Sequence, residues 1–158
     1  MIQENENIPT GSLTKKGVIG TEQFDPAQAF AKGTHVLFAV PGAFTPTCSE
    51  QHLPGYVRLA DEFANKGVDG IYCLAANDAF VMAAWAKDQN IGDKVTMLSD
   101  GDASWAQSIG LSMDTGAFGG VRTQRFAMII RDGVLVNLFV EGPKAFEVSS
   151  AEHVLKHL

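Results

Sequence analysis

Residues 34–56, THVLFAVPGAFTPTCSEQHLPGY, decide how this chain is read. Thr34–Val40 is a β-branched and aromatic run of the kind that forms a buried strand. Pro41-Gly42 stops it, because proline has no amide proton for a ladder and glycine opens turn geometry. From Pro46 the pattern turns helical, with Leu53, Val57, Leu59, Ala60 and Phe63 marking an apolar side as far as about Asn65. Pro54 is expected to bend or restart this helix, since its ring clashes with the preceding turn, and Gly67 is expected to end it. The nine residues Pro41–Ser49 therefore sit between the end of a strand and the first turn of a helix. Ligand and catalytic sites of α/β sheets gather outside the carboxyl ends of strands.

The rest of the chain repeats the alternation. Val68–Ala76 reads as a second buried strand, and Asn77-Asp78 as a cap for a helix over residues 79–90. Lys94–Leu98 is predicted as a third strand, and Ala103–Ile109 as a short helix stopped by Gly110. Arg125–Glu141 reads as a hairpin about Asp132-Gly133, a pair suited to positive φ. Ser149 or Ser150 is placed to cap a final helix ending near His157. This order implies the α/β class, with a mixed central sheet and helices on both faces. Its outline resembles a thioredoxin-like fold.

Composition narrows the function. The 158 residues are 46% hydrophobic and 19% charged, which fits one globular domain spanning residues 1–158. Eighteen acids against twelve Lys and Arg give a net charge of −6, which argues against a general nucleic-acid binder. The longest apolar runs, such as Ala79–Ala86, are too short to span a membrane. Two cysteines, Cys48 and Cys73, form neither a multi-bridge framework nor a paired zinc motif. The opening MIQENENIPT has no basic segment ahead of an apolar stretch, so the expected setting is reducing and cytoplasmic.

Cys48 is the candidate for chemistry. In a first helical turn it would see unpaired amides and the positive end of the helix dipole, which favour a thiolate. Thr45 places a hydroxyl three residues earlier, and Pro41 and Pro46 stiffen the loop and shield the sulfur. The alternative is a small buried cysteine with no reactivity. His52, one turn on, is either a base for the thiol or a packing and hydrogen-bonding residue. Arg125 opens an apolar strand, where arginine is most often an ordinary exposed charge, and Arg122 is a competing cation. Cys73 reads as a strand cysteine. Asn77 and Asp78 are accounted for as a cap, and Phe80 and Trp85 as core or interface. Phe118 reads either as a cover over its own core or pocket, or as a subunit contact.

The spacing Pro41-x-x-x-Thr45-x-x-Cys48 resembles the active-site loop of the peroxiredoxins, and more narrowly of the Prx5 or type II subfamily. The resemblance extends through GIYCLAANDAFVMAAW (70–85), DGDASWAQSIGL (100–111) and RTQRFAMIIRDG (122–133). It implies a thioredoxin-like fold and a thiol-dependent peroxidase acting on hydrogen peroxide and alkyl hydroperoxides in antioxidant defence. Cys48 would be the peroxidatic nucleophile, passing through a sulfenic acid. Thr45 and the Cys48 amide would hold peroxide oxygens, Arg125 would polarise the peroxide, and Pro41 would limit water. No metal or organic cofactor is implied, and a homodimer is expected.

The resemblance leaves resolution open. Animal-type relatives carry a resolving cysteine near the terminal helix, but the matching AFEVSSAEH (145–153) contains none. Either Cys73 resolves the sulfenic acid, or the cycle uses one cysteine regenerated by glutaredoxin/glutathione or thioredoxin. Outside this reading stand a non-turnover redox sensor and a cysteine hydrolase pairing Cys48 with His52. A disulfide reductase is disfavoured, because Cys48-Ser-Glu-Gln has no second thiol three residues on.

Overall fold

The structure is a computed structural model and describes residues Met1–Leu158. In chain order its elements begin with β1 (Leu13–Lys16), β2 (Thr21–Phe24), α1 (Pro26–Ala29) and β3 (Thr34–Ala39). A π-helical turn, Cys48–His52, leads into α2 (Leu53–Arg58) and α3 (Ala60–Asn65), followed by β4 (Gly70–Ala75) and α4 (Ala79–Asp88). Then come β5 (Thr96–Ser99), α5 (Ser104–Ser108), β6 (Ser112–Asp114) and β7 (Val121–Thr123). The chain closes with β8 (Phe126–Arg131), β9 (Val134–Val140) and α6 (Ala151–Leu155).

Seven strands make one sheet in the order β2-β1-β5-β4-β3-β8-β9, and β6 pairs only with β7. β3, β4 and β5 run parallel, and β8 lies antiparallel to β3. Side chains of a strand alternate between faces. Val36 and Phe38 accordingly join one core with Cys48, Tyr56, Cys73 and Trp85, while Leu37 and Ala39 join a second with Phe30, Leu74 and Trp105. Both faces of β3 are therefore dry, which is why Thr34–Val40 reads as continuous apolar sequence. The mixed sheet covered on both faces is the thioredoxin-like arrangement expected. On the outer edge, Asn5–Ile8 runs beside β9, with Asn5 N on Leu135 O (2.7 Å), Leu135 N on Glu6 O (2.9 Å) and Ile8 N on Gly133 O (2.9 Å).

One expectation is met in one of its two forms, and another changes. The helix over Pro46–Asn65 restarts at Pro54 rather than bending there. Pro54 lies in the first turn of α2, where a missing amide is tolerated, and the wide turn before it is closed by Leu53 N on Cys48 O. A second break, not expected, falls at Leu59 (φ −97°, ψ 9°). The third strand begins at Thr96 rather than Lys94, whose amide is held in a turn by Ile91 O at 3.1 Å. β1, β2, α1, β6 and β7 were not anticipated; each is three or four residues, too short and too polar to show a periodicity.

The hairpin turn sits where expected, with Asp132 at φ 51° and Gly133 at φ 80°. Of the two cap candidates before α4, Asp78 does the capping: Oδ1 accepts from Phe80 N and Val81 N, both at 2.9 Å. Ser150, not Ser149, caps α6. Asp78→Ala should lower the unfolding free energy by about 1 kcal/mol, read as a lower urea midpoint at unchanged m-value.

Candidate active site

The loop after β3 is fixed from three sides. Thr123 Oγ1 donates to Val40 O at 2.9 Å, and Arg122 Nη1 donates to Pro41 O at 3.0 Å. Asn77 Oδ1 accepts from Ala43 N at 2.8 Å, so Asn77 braces the loop rather than capping a helix. Thr45 Oγ1 donates to Gly42 O at 2.7 Å. Ser49 N reaches Thr45 O at 2.9 Å, so the helical ladder begins one residue after Cys48 and leaves the Cys48 amide ahead of it. Trp85 Nε1 holds Ser49 Oγ at 3.0 Å.

Strand register delivers the cation. Ala39 of β3 pairs with Phe126 of β8, so Arg125 stands level with the chain just leaving β3. Arg125 Nη2 donates to Cys48 Sγ at 3.0 Å. A guanidinium at that distance stabilises a sulfur anion by charge and hydrogen bond together. Arg122, the competing cation, turns instead to Pro41 O and the Phe118 ring.

His52 does not serve the sulfur as a base. Its Nδ1 lies 2.7 Å from Arg125 Nη1, and its Nε2 lies 2.9 Å from Ser149 O. A guanidinium has only donors, so Nδ1 must accept, and the single ring proton belongs to Nε2, donating to Ser149 O. Burial first, and the Arg125 charge second, push the His52 pKa down from 6.5 to about 3, against the opposing pull of the Ser149 carbonyl. Tyr56 OH donates to the same carbonyl at 2.8 Å and stacks on Phe38 with centroids 4.0 Å apart. Of the two roles read for His52, the structure shows the hydrogen-bonding one, and the hydrolase pairing loses its base.

A cavity of about 610 Å³ opens beside the site. Pro41, Thr47, Gln124 and Arg125 line it, with Met113 from β6 and Glu141–Ala145 after β9. Cys48 itself is 0% exposed, and neither it nor Thr45 lines the cavity; Arg125 both lines it and touches the sulfur. With its proton given to Gly42 O, Thr45 Oγ1 is left with its lone pairs to offer to a further donor.

A family model described as Redoxin matches residues 3–155. Peroxiredoxin-2B of Arabidopsis thaliana is 44% identical over 153 residues, covering 96% of this chain and 94% of that protein. The chain is a peroxiredoxin. Its family consists of thiol-dependent peroxidases, oxidoreductases of antioxidant defence. The chloroplastic peroxiredoxin-2E of the same plant is 49% identical over 128 residues, and the match spans 54% of that longer protein. The crystal structure of reduced Prx3 in complex with H2O2 from Vibrio vulnificus is 51% identical, with a TM-score of 0.97 over 99% of both chains.

In this peroxiredoxin the two thiols have different surroundings. Cys73 is fully buried in β4, paired in register with Phe38 and Met97. Burial, then the neighbouring Cys48, pushes its thiol pKa well up, against a smaller opposite pull from Arg125. Phe118 is 84% exposed under Arg122, so it does not close over its own core. Sequence reasoning missed Thr47, Gln124, Met113 and Glu141 as cavity residues. For Gln124 and Met113 no signal was available, because β6 and β7 themselves were not legible.

A depressed histidine pKa adds nothing to stability above pH 6.5 and works against the fold as pH drops from there toward about 3. The His52 ring nitrogens, followed by 15N NMR, should therefore hold one neutral Nε2–H form from pH 8 down to about pH 4.

Proposed function

We propose that this peroxiredoxin reduces hydrogen peroxide and small alkyl hydroperoxides through Cys48, in a one-cysteine cycle completed by an external thiol. The observation that carries this reading is the 3.0 Å contact of Arg125 Nη2 with Cys48 Sγ beside a cavity large enough for a small hydroperoxide. The Cys48 thiolate attacks one peroxide oxygen. The S–O bond forms as the O–O bond breaks, and the departing oxygen leaves as water or alcohol once protonated. Negative charge grows on that oxygen, where Arg125 and the Cys48 amide supply donors. Thr45 Oγ1, with its lone pairs free, accepts from the peroxide O–H, and Pro41 keeps bulk water off the sulfur.

The resulting sulfenic acid is attacked by a reductant thiol, releasing water and forming a mixed disulfide. A second thiol then frees Cys48 and leaves as the disulfide product. Cys73 is a poor internal resolver for two physical reasons. Its thiol is held protonated by burial, and a bond to Cys48 would pull a residue out of a central parallel ladder. Glutathione with glutaredoxin is the favoured reductant, with thioredoxin the competitor. Such a cycle needs a reducing thiol pool, which fits a cytoplasmic setting. Exposed Phe44, Phe80 and Phe118 support a homodimer, because large apolar side chains left in water mark contact surfaces.

Parallel steady-state peroxide assays with the two reductant systems test the cycle. Cys48→Ser should abolish turnover in both. Cys73→Ser should keep at least half of the glutaredoxin/glutathione-supported rate if no internal disulfide is involved, to within about 2-fold. Loss of turnover in Cys73→Ser would return resolution to Cys73. Rapid oxidation of Cys48 without turnover in either system would favour the redox sensor instead.

A further inference from the structure

Glu141 follows β9 and makes no contact with Cys48, yet its carboxylate gathers an unusual set of donors. Oε2 accepts from Glu147 N at 2.7 Å, Ser149 N at 2.8 Å and Ser149 Oγ at 2.7 Å. Its own amide donates to Arg125 O at 3.0 Å. Burial works to raise the Glu141 pKa, but the hydrogen bonds from Ser149 and Glu147 outweigh it and hold the carboxylate below its usual range. Ser149 is itself fully buried, and this carboxylate is the acceptor that its amide and hydroxyl have in the structure.

The orientation of Ser149 matters because its carbonyl is the acceptor for His52 Nε2–H and Tyr56 OH. That acceptor keeps the ring proton on Nε2. Moved to Nδ1, the proton would face the donors of Arg125, two donors would meet, and the guanidinium would be turned away from the sulfur. We infer that Glu141 is a positioning residue for peroxide reduction: by pinning Ser149 it fixes the His52 tautomer, and His52 Nδ1 in turn aims Arg125 at Cys48. The activity readout rests on the peroxidase reading; the geometry does not.

The test uses the pre-reduced full chain and three measurements: the rate constant of Cys48 with hydrogen peroxide, the rate of its alkylation by iodoacetamide, and the 15N spectrum of His52. Glu141→Ala should slow the peroxide reaction about 10- to 100-fold, the size expected for losing a charge-assisted hydrogen-bond anchor. Glu141→Gln keeps an oxygen in place and should stay within about 5-fold. In Glu141→Ala the His52 signals should change from the Nε2–H form to a mixture of tautomers. In a His52→Asn background, Glu141→Ala should add less than about 2-fold, because both changes break one relay.

Losses that multiply in the double variant would overturn the proposal, as would an unchanged tautomer in Glu141→Ala. If Glu141→Ala does not fold, Ser149→Ala replaces it. It removes one of the three donors and keeps the carbonyl, and should slow the reaction about 3-fold in wild type but not in His52→Asn. A wild-type chain that fails to react with peroxide would overturn the peroxidase reading alone, because the His52 spectrum of Glu141→Ala would still decide the role of Glu141.

Discussion

A guanidinium can only donate, and that constraint organises the surroundings of Cys48. Arg125 presents one nitrogen to the sulfur and another to His52, so both partners must offer lone pairs. The sulfur meets the requirement with its lone pairs, and the imidazole meets it by staying neutral with its proton on the far side. That far side needs a carbonyl, supplied by Ser149, and a buried Ser149 needs acceptors of its own, supplied by Glu141. A residue eight positions before Ser149 is thus tied to the nucleophile by hydrogen-bond logic, although no apolar contact joins them.

The strand alternation that makes the core also places the chemistry. Because Val36 and Phe38 face one side and Leu37 and Ala39 the other, the chain leaves β3 directed over the face that holds Tyr56 and Trp85. Phe38 then stacks on Tyr56 and lies 4.8 Å from the His52 ring, so a core aromatic also forms a wall of the site. The same alternation puts Cys73 on that face, close enough to feel Cys48 yet locked in a ladder. Two thiols share a face with unequal freedom, and the difference comes from backbone pairing.

Much of this was legible before any coordinates. The run Thr34–Val40, the Pro41-Gly42 stop and the Asp132-Gly133 turn carry local signals strong enough to place β3 and the β8–β9 hairpin. Cys48 and Thr45 stood out by spacing, while Arg125 was selected over Arg122 only by resemblance. Composition could not make that choice, because it depends on the pairing of Ala39 with Phe126, a contact between residues 87 positions apart. The roles of Asn77 and Glu141 were hidden for a related reason. A side chain that accepts amides from another loop looks, in sequence, like any polar residue in a turn. The π-helical turn was hidden too, since Pro54 announces a disturbance without saying on which side the helix absorbs it.

The segment Asn5–Ile8 beside β9 has a bearing on solubility. β9 is the last strand of the sheet, and its outward amides and carbonyls would otherwise be a template for strands of other molecules. The bonds from Asn5, Glu6 and Ile8 occupy part of that template, and Glu4 takes the Leu138 amide at 3.2 Å. At the opposite edge, β2 is short, exposed and carries Glu22, which discourages pairing by charge and brevity. Each open side of the sheet is guarded by a different device, one by covering chain and one by charge, so edge-to-edge polymerisation is resisted without closing the sheet into a barrel.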